Sequence, residues 1–401
     1  MNSLRKFIDR IKPNFEKGGK FEKLQSVFDG FETFLFVPNT TSRRGTHIHD
    51  AVDSKRTMIM VVIALIPALL FGMYNVGYQH FLALGQNNGF FTTFLFGFLA
   101  VLPIIVVSYG VGLGIEFIVA QIKGHEIQEG FLVTGMLIPL IVPIDTPLWM
   151  IAVATAFAVI FAKEVFGGTG MNIFNVALIT RVFLFFAYPT AMSGDKVWIR
   201  TSETFGLGSG NVVDAFSGAT ALGQIATATT PSPQITDVIG NHISLMDAFI
   251  GFIPGSVGET SKLAIFIGAA LLLLTRVASW KTMFSVFVGG AFMGLIFNLW
   301  GPNTASAHLP WYYHLMLGGF AFGAVFMATD PVTSARTEKG KWIYGFLIGA
   351  MAIIIRVLNP GYAEGMMLAI LLMNVFAPLI DFYVIDANIK KRLKRVLINK
   401  K

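Results

Sequence analysis

A chain of 401 residues and 43.8 kDa would ordinarily divide into two or three soluble domains. Hydrophobic residues make up 54% of it and charged residues 13%, about half the usual soluble share, which excludes a soluble enzyme or a disordered chain and indicates a polytopic membrane protein. The absence of cysteine excludes disulfides, thiolate metal sites and cysteine-ligated iron–sulfur clusters, and the net charge of +7 in such a chain marks cytoplasmic loops rather than a nucleic-acid partner.

Residues 1–55 contain no apolar stretch of signal-peptide type. The first 56 residues hold eleven Lys/Arg. Leu4, Phe7, Ile8 and Ile11 share one face of a short basic helix that Pro13 ends. A second patterned stretch runs from Phe21 through Leu24, Phe28 and Phe31. Both suit the inner membrane surface or a partner subunit, and a solvated amphipathic tail suits the pattern equally. His47 and His49 lie in this tail. None of the seven histidines pairs at helical ligand spacing, so no tightly bound metal is expected.

At about 20 apolar residues per crossing, ten segments qualify: 57–78, 91–120, 131–144, 147–166, 173–190, 260–277, 282–300, 312–329, 342–358 and 364–386. The third is interrupted by Pro139 and Pro143, and the ninth runs into Asn359-Pro360-Gly361. Broken segments are tolerated only where protein or a cavity covers the backbone. With both tails inside, 25 of the 30 Lys/Arg fall on cytoplasmic segments, and the connections near 79–90, 145 and 301–311 carry none. The expected fold is therefore all-α, with ten transmembrane helices and both termini cytoplasmic.

The two halves resemble each other. Gly130-Phe131 with Gly135 parallels Gly319-Phe320 with Gly323, and each runs on to an acidic–proline turn at Asp145 or Asp330. Phe166-Gly167-Gly168 parallels Asn359-Pro360-Gly361, and Asn175–Leu178 parallels Met367–Ile370, at offsets of 189 to 193 residues. A five-helix unit is odd-numbered, so its second copy must be inverted in the membrane. The organisation is then a basic tail (1–55), a first repeat (56–190), an outer loop (191–259), a second repeat (260–387) and a basic tail (388–401).

In the outer loop, Asp214-Ala-Phe-Ser217-Gly218-Ala219-Thr220 presents hydroxyls among small residues. Gly218 and Ala219 admit a bulky group close to the backbone, and Thr220 offers an acceptor for a phosphoester. Taken alone, the run is an ordinary turn. Another loop stretch, Gly206-Leu-Gly208-Ser-Gly210, lacks the strand and helix of a dinucleotide fingerprint and reads as a flexible loop.

The Asp-x-x-Ser-Gly-Ala-Thr run resembles the acceptor motif of flavin transferases, which join FMN through its phosphate to the final threonine. The whole chain resembles the B-subunit family of sodium-pumping NADH:quinone oxidoreductases. The stretches that carry this include Lys163–Asn172, Phe183–Pro189, Ser193–Asp195, Met246–Gly251, Gly318–Gly323, Met327–Pro331 and Pro360–Ala369. The D subunit of the Rnf complex shares the motif and ranks second. The basic tail, with Lys17-Gly-Gly-Lys20 and Asp50–Arg56, resembles the quinone-reductase branch. The resemblance implies covalent FMN on Thr220, on the periplasmic side of a bacterial inner membrane. It also implies noncovalent riboflavin near Asn172 and Asn175, whose amides suit a flavin edge but equally suit interhelical bonding. The fifth segment would set these sites about 24 Å apart in depth, so a tethered ring must lean into the bundle. Implied partners are an NADH-oxidising flavin/iron–sulfur subunit, a second covalent-FMN subunit, small membrane subunits, a flavin transferase, quinone and Na+.

Three intramembrane acids need a partner or a purpose: Glu116, Asp330 and Asp381. Glu116 lies five residues before Gln121, and their oxygens suit a hard cation. A salt bridge to Arg336 or to the carboxy-terminal basics explains Glu116 as readily, and a helix-end turn explains Asp330. The resemblance links these acids with sodium uptake. Gly112, Leu113 and Gly114 would open an apolar slot for quinone, although Gly112-Leu113 stands where the family has a glycine pair. Arg181 and Arg356 are buried cations suited to phosphate or carboxylate. The competing class is a non-redox transporter built on inverted repeats, which leaves the Asp214–Thr220 motif unexplained. A purely structural scaffold requires neither flavin nor the acids.

Overall fold

The computed structural model describes residues 2–16, 18–21, 25–36, 45, 54–123, 130–194, 197–213, 216–230 and 234–398. His47, His49 and Asp214 lie outside these. Among the described residues all regular structure is helical, apart from two isolated β-bridges (Thr204 with Leu207, Thr236 with His242).

In the tail, α1 (Asn2–Ile11) ends at a turn containing Pro13, and α2 (Gln25–Leu35) carries Phe28 and Phe31 of the second apolar pattern, whose Phe21 precedes it and whose Leu24 lies outside the described residues. The two are pinned together. Glu32 pairs with Arg5 at 3.1 Å and Lys12 at 2.8 Å, and Phe28 stacks on Phe15 with ring centres 4.6 Å apart.

The first half comprises α3 (Ser54–Ala83), α4 (Phe90–Lys123), α5 (Phe131–Ile141), α6 (Leu148–Ala162), α7 (Val176–Ala187) and a short α8 (Pro189–Met192). The loop region contributes α9 (Ala221–Thr227) and α10 (Leu245–Ile250). The second half comprises α11 (Lys262–Leu274), α12 (Trp280–Trp300), α13 (Ala305–His308), α14 (Trp311–Met316), α15 (Phe320–Phe322) with a π turn (Gly323–Met327), α16 (Glu338–Leu358) and α17 (Met366–Ile398). Side-chain oxygens start many of them. Asn175, Thr220, Ser261, Ser279 and Thr337 each accept from backbone amides of the helix they precede.

All ten expected segments are helical in part, but they are not alike. Among the described residues, six helices (α3, α4, α6 with its 3-10 continuation to Phe166, α12, α16 and α17) are long and apolar enough to cross a membrane. α5, α7 and α11 are shorter, at 11, 12 and 13 residues. The segment expected over 312–329 breaks between α14 and α15, where Gly318 takes a φ of +64° that other residues avoid. The last helix is longer than expected and continues through the basic stretch to Ile398.

Neighbours correspond between the halves. α4 packs on α5 and α6, and α6 on α7; α12 packs on α14 and α16, and α16 on α17. Phe131, opening α5, lays its ring over Gly112 of α4, and Phe320, opening α15, lays its ring over Gly290 of α12. α3 joins the halves by packing on α11. Small residues bring backbones together in lipid, where burial of apolar surface gives no drive. At the α12–α16 contact Gly349 faces the Val286 carbonyl and Gly289 faces that of Phe346, with no room for a Cβ.

Gly349→Leu should therefore cost about 2 kcal/mol or more by overpacking. It should lower the thermal denaturation midpoint in detergent, while Leu347→Ala, on a side chain 36% exposed on the same helix, changes it little. Equal effects would show that this close contact does not hold the two helices.

Candidate functional site in two cavities

α7 and α11 run between two cavities and contribute opposite ends to them, while α3 lines only the smaller. The larger has a volume of about 510 Å³. Its rim carries Trp198, Thr220, Ala221 and Gly223, and its inner wall carries Arg181, Phe185, Glu259, Thr260, Lys262, Tyr362 and Glu364. The size suits a cofactor, and the wall combines aromatic rings with a few polar groups.

Thr220 caps α9. Its Oγ1 accepts from Gly223 N at 3.1 Å. Gln224 braces the motif from below, donating to Ala219 O (3.2 Å) and Thr236 O (2.8 Å) while accepting from Thr236 N (2.9 Å). Ser217 N donates to Val238 O at 3.3 Å, and Gly218 is buried. The motif is thus held as a firm edge of the cavity, with Thr220 half-buried at the opening.

Charges from both halves meet at the floor. Arg181 of α7 donates to Glu259 at 2.6 Å and forms a second ion pair with Glu364. Glu364 also accepts from Gly319 N at 2.9 Å. Lys262 Nζ donates to the carbonyls of Glu259 (2.8 Å) and Thr260 (3.0 Å). Arg356 donates to the carbonyls of His314 (2.7 Å) and Glu364 (3.1 Å). Three cations face two carboxylates, so the floor carries one surplus positive charge when all are ionised. The sequence marks both arginines but not their partners. Lys262 is detectable there as a lysine opening an apolar run, and Glu364 lies inside the Pro360–Ala369 stretch.

The smaller cavity, about 80 Å³, lies at the other end of α7 and is lined by Gly130, Lys163, Thr169, Asn172, Asn175 and Asp330 among others. Asn172 and Asn175 do not share a helix face as expected, because α7 begins only at Val176. Asn175 is its cap, accepting from Ala177 N and Leu178 N, and donates to Asp330 at 3.4 Å. Asn172 closes the preceding loop by accepting from Gly170 N (3.3 Å) and donating to Phe174 O (2.9 Å). Gly167, Gly168 and Gly170 all have positive φ, so this loop requires glycine. At about 30 Å³ per water, the space holds a few waters and not a tricyclic ring in this conformation.

The three acids are not gathered at one point. Glu116 is buried and paired with Lys163, also buried, instead of with Arg336 or the carboxy-terminal basics. Its second oxygen has no partner. Gln121 is exposed, whereas Glu116 is buried. Asp330 accepts from Val332 N and Thr333 Oγ1, both at 3.0 Å, and lines the small cavity. Asp381 ties α17 to the start of α16, accepting from Arg336 N (2.7 Å), Thr337 N (3.0 Å) and Thr337 Oγ1 (2.6 Å). Among the described residues no three His, Asp or Glu converge on a metal site. Of the expected quinone slot, the Phe131 ring fills the space over Gly112, nothing lies over Gly114, and Leu113 is half-buried. The Gly206–Gly210 loop is tied down, with His80 ring nitrogens 2.6 Å from Arg200 O and 3.0 Å from Gly208 O.

The two cavities approach each other along α7. Arg181, in the wall of the larger, is six residues from Asn175, about 9 Å of helical rise. The larger cavity therefore reaches well into the bundle from the Thr220 end.

A family model described as the NQR2, RnfD, RnfE family matches residues 41–390. Among curated relatives, the chain is 46% identical to the B subunit of the Na(+)-translocating NADH-quinone reductase of Ectopseudomonas mendocina, covering 98% of this chain and 99% of the relative. Its counterparts in Chromohalobacter salexigens and Azotobacter vinelandii are each 44% identical over 98% of this chain, covering 96% and 99% of their own lengths.

Removing one member of a buried ion pair leaves the other uncompensated, at a cost of about 3–5 kcal/mol. Lys163→Met should therefore lower the thermal midpoint clearly, and adding Glu116→Leu should restore much of the loss. A double variant no better than the single would show that the two side chains are not coupled.

Proposed function

The chain belongs to the NQR2, RnfD, RnfE family, and from that premise we propose that it is the membrane subunit of a sodium-translocating NADH:quinone reductase that carries FMN on Thr220. The observation that carries this reading is the position of Thr220. It ends a flavin-acceptor motif and stands at the opening of a 510 Å³ cavity with aromatic and cationic walls. Bound FMN would supply reversible electron uptake and release, and the chain supplies tether, pocket and electrostatics. The half-buried Thr220 hydroxyl would take the phosphoester, Trp198 and Phe185 would flank the ring, and the Arg181–Glu259–Glu364 pairs would keep the floor rigid and polar without mobile water. The D subunit of the Rnf complex belongs to the same family. Near full-length similarity to the B subunits, basic tail included, favours the first reading.

In this reading NADH oxidation belongs to a flavin/iron–sulfur partner, and a second covalent-FMN subunit and small membrane subunits complete the complex. A flavin transferase modifies Thr220. Both termini lie in the cytoplasm and the Thr220 loop faces the periplasm of the inner membrane, supported by the distribution of Lys/Arg. The ten segments form two inverted five-segment repeats. Corresponding parts line the two cavities: Thr57 and Lys262 near the starts of α3 and α11, Gly130 and Gly318 before α5 and α15, and the loops before α7 and α17. Functional sites of inverted-repeat proteins gather at such broken segments.

Riboflavin near Asn172 and Asn175 rests on their amide chemistry and on the glycine-rich approach. The present 80 Å³ space must widen to admit it. Sodium would enter through Glu116 and Asp330, whose oxygens lie at or beside this cavity, with Asp381 bracing the nearby helices. Quinone would meet the open surface over Gly114.

The mass of the Thr220 peptide tests the reading. An addition equal to FMN less water, absent from Thr220→Ala, is expected. An unmodified Thr220 from a host with an active transferase would contradict it. For the cation path, Glu116→Gln should raise the Na+ concentration needed for half-maximal quinone reduction, and an unchanged Na+ dependence would remove Glu116 from the path.

A further inference from the structure

Placing FMN on Thr220 leaves Thr260 and Tyr362 of the inner wall without assigned contacts. Two hydroxyls there stand apart from the rest. Tyr362 is 6% exposed and Thr260 2%, both line the cavity, and neither Tyr362 Oη nor Thr260 Oγ1 has a hydrogen-bond partner. Buried polar atoms in folded proteins are overwhelmingly paired, and leaving one unpaired is costly. Two in the wall of one cavity form a donor set that lacks an acceptor. The nearby carbonyls are already engaged: those of Glu259, Thr260 and Gly318 by Lys262, and that of Glu364 by Arg356. Both carboxylates are held by Arg181.

The wall is also shaped for a flat group. The Tyr362 ring meets Phe185 edge-on, with centres 4.6 Å apart, and Phe185 lines the same cavity. That contact sets the position of Tyr362 Oη. Behind it stand Arg181, Lys262 and Arg356 against Glu259 and Glu364, a surplus positive charge when all are ionised.

We propose that Tyr362 and Thr260 hold the edge of the flavin ring tethered at Thr220, donating hydrogen bonds to its carbonyl and ring-nitrogen acceptors. The inference rests on the Thr220 reading. Reduction adds electron density to that edge. Hydrogen-bond donors therefore stabilise the reduced ring more than the oxidised one, and they raise its potential. Tyr362→Phe keeps the ring contact with Phe185 and removes only the hydroxyl. Thr260→Val keeps the shape and removes the other.

The test uses the assembled, flavinylated complex. Each variant is first shown by peptide mass to carry FMN on Thr220. The midpoint potential of that flavin is then taken by spectroelectrochemical titration, with Thr220→Ala protein supplying the background of any other flavin. Each hydroxyl removed should weaken the preference for the reduced ring about threefold to tenfold, and tenfold is about 59 mV for one electron. Thr180→Val removes a buried hydroxyl on α7 that already bonds Val176 O and does not line the cavity, and should leave the potential unchanged. Flavinylated Tyr362→Phe and Thr260→Val proteins at the unmodified potential would overturn the inference. If Tyr362→Phe fails to assemble, Thr260→Val decides alone. Unmodified Thr220 in the parent protein would instead overturn the reading on which the inference rests.

Discussion

Charges buried in a membrane bundle must be met by charges or carbonyls from elsewhere in the chain, because an uncompensated ion there is far costlier than any packing gain around it. Arg181 meets this demand across the whole molecule. It sits on α7 of the first half, while one of its carboxylates comes from the end of the outer loop, Glu259 just before α11, and the other from the second half, Glu364 just before α17. The short α7, the re-entry of the loop at 252–261 and the break before α17 all converge on this residue. The loop is also stitched to the first half by Asn75 Nδ2 to Ile253 O (3.0 Å), Ser256 Oγ to Ile141 O (3.2 Å) and Gly258 N to Leu140 O (2.8 Å). The cluster leaves a polar, well-braced floor under a cavity of cofactor size.

The second end of the bundle solves the same problem with fewer groups. Lys163 and Glu116 neutralise each other, and Asp330 is satisfied by the turn that contains it and by the cap of α7. One helix, α7, therefore carries Asn175 at the small cavity and Arg181 at the large one. A short, rigid helix between two polar ends is a suitable spacer for passing electrons or coupling ion occupancy, since both ends are registered by the same backbone.

Much of this was legible in the sequence. Long apolar runs, Pro139 and Pro143, and the Asn359-Pro360-Gly361 break place the segments because lipid tolerates only satisfied backbone. The Asp214–Thr220 motif and the asparagines at 172 and 175 stood out only through the family resemblance, and the expected shared helix face of the asparagines does not form. Three things were not. Segment 312–329 is largely apolar, and it breaks where Gly318 takes a positive φ, which pattern alone does not reveal. The partners of Glu116 and Arg181 lie 47, 78 and 183 residues away, so no local spacing encodes them. The depth of the Thr220 cavity depends on how far the loop folds back into the bundle. That is a tertiary property, and it brings the cavity wall at Arg181 to about 9 Å of helical rise from Asn175.

The central claim is that the cavity between Thr220 and Arg181 is a flavin pocket. An experimental density map of the flavinylated complex tests it most directly. The account predicts continuous density from Thr220 Oγ1 into the cavity, ending in a flat ring beside Phe185 and Tyr362 above the Arg181 cluster. Density that leaves Thr220 for the outer surface, with only solvent in the cavity, would contradict it.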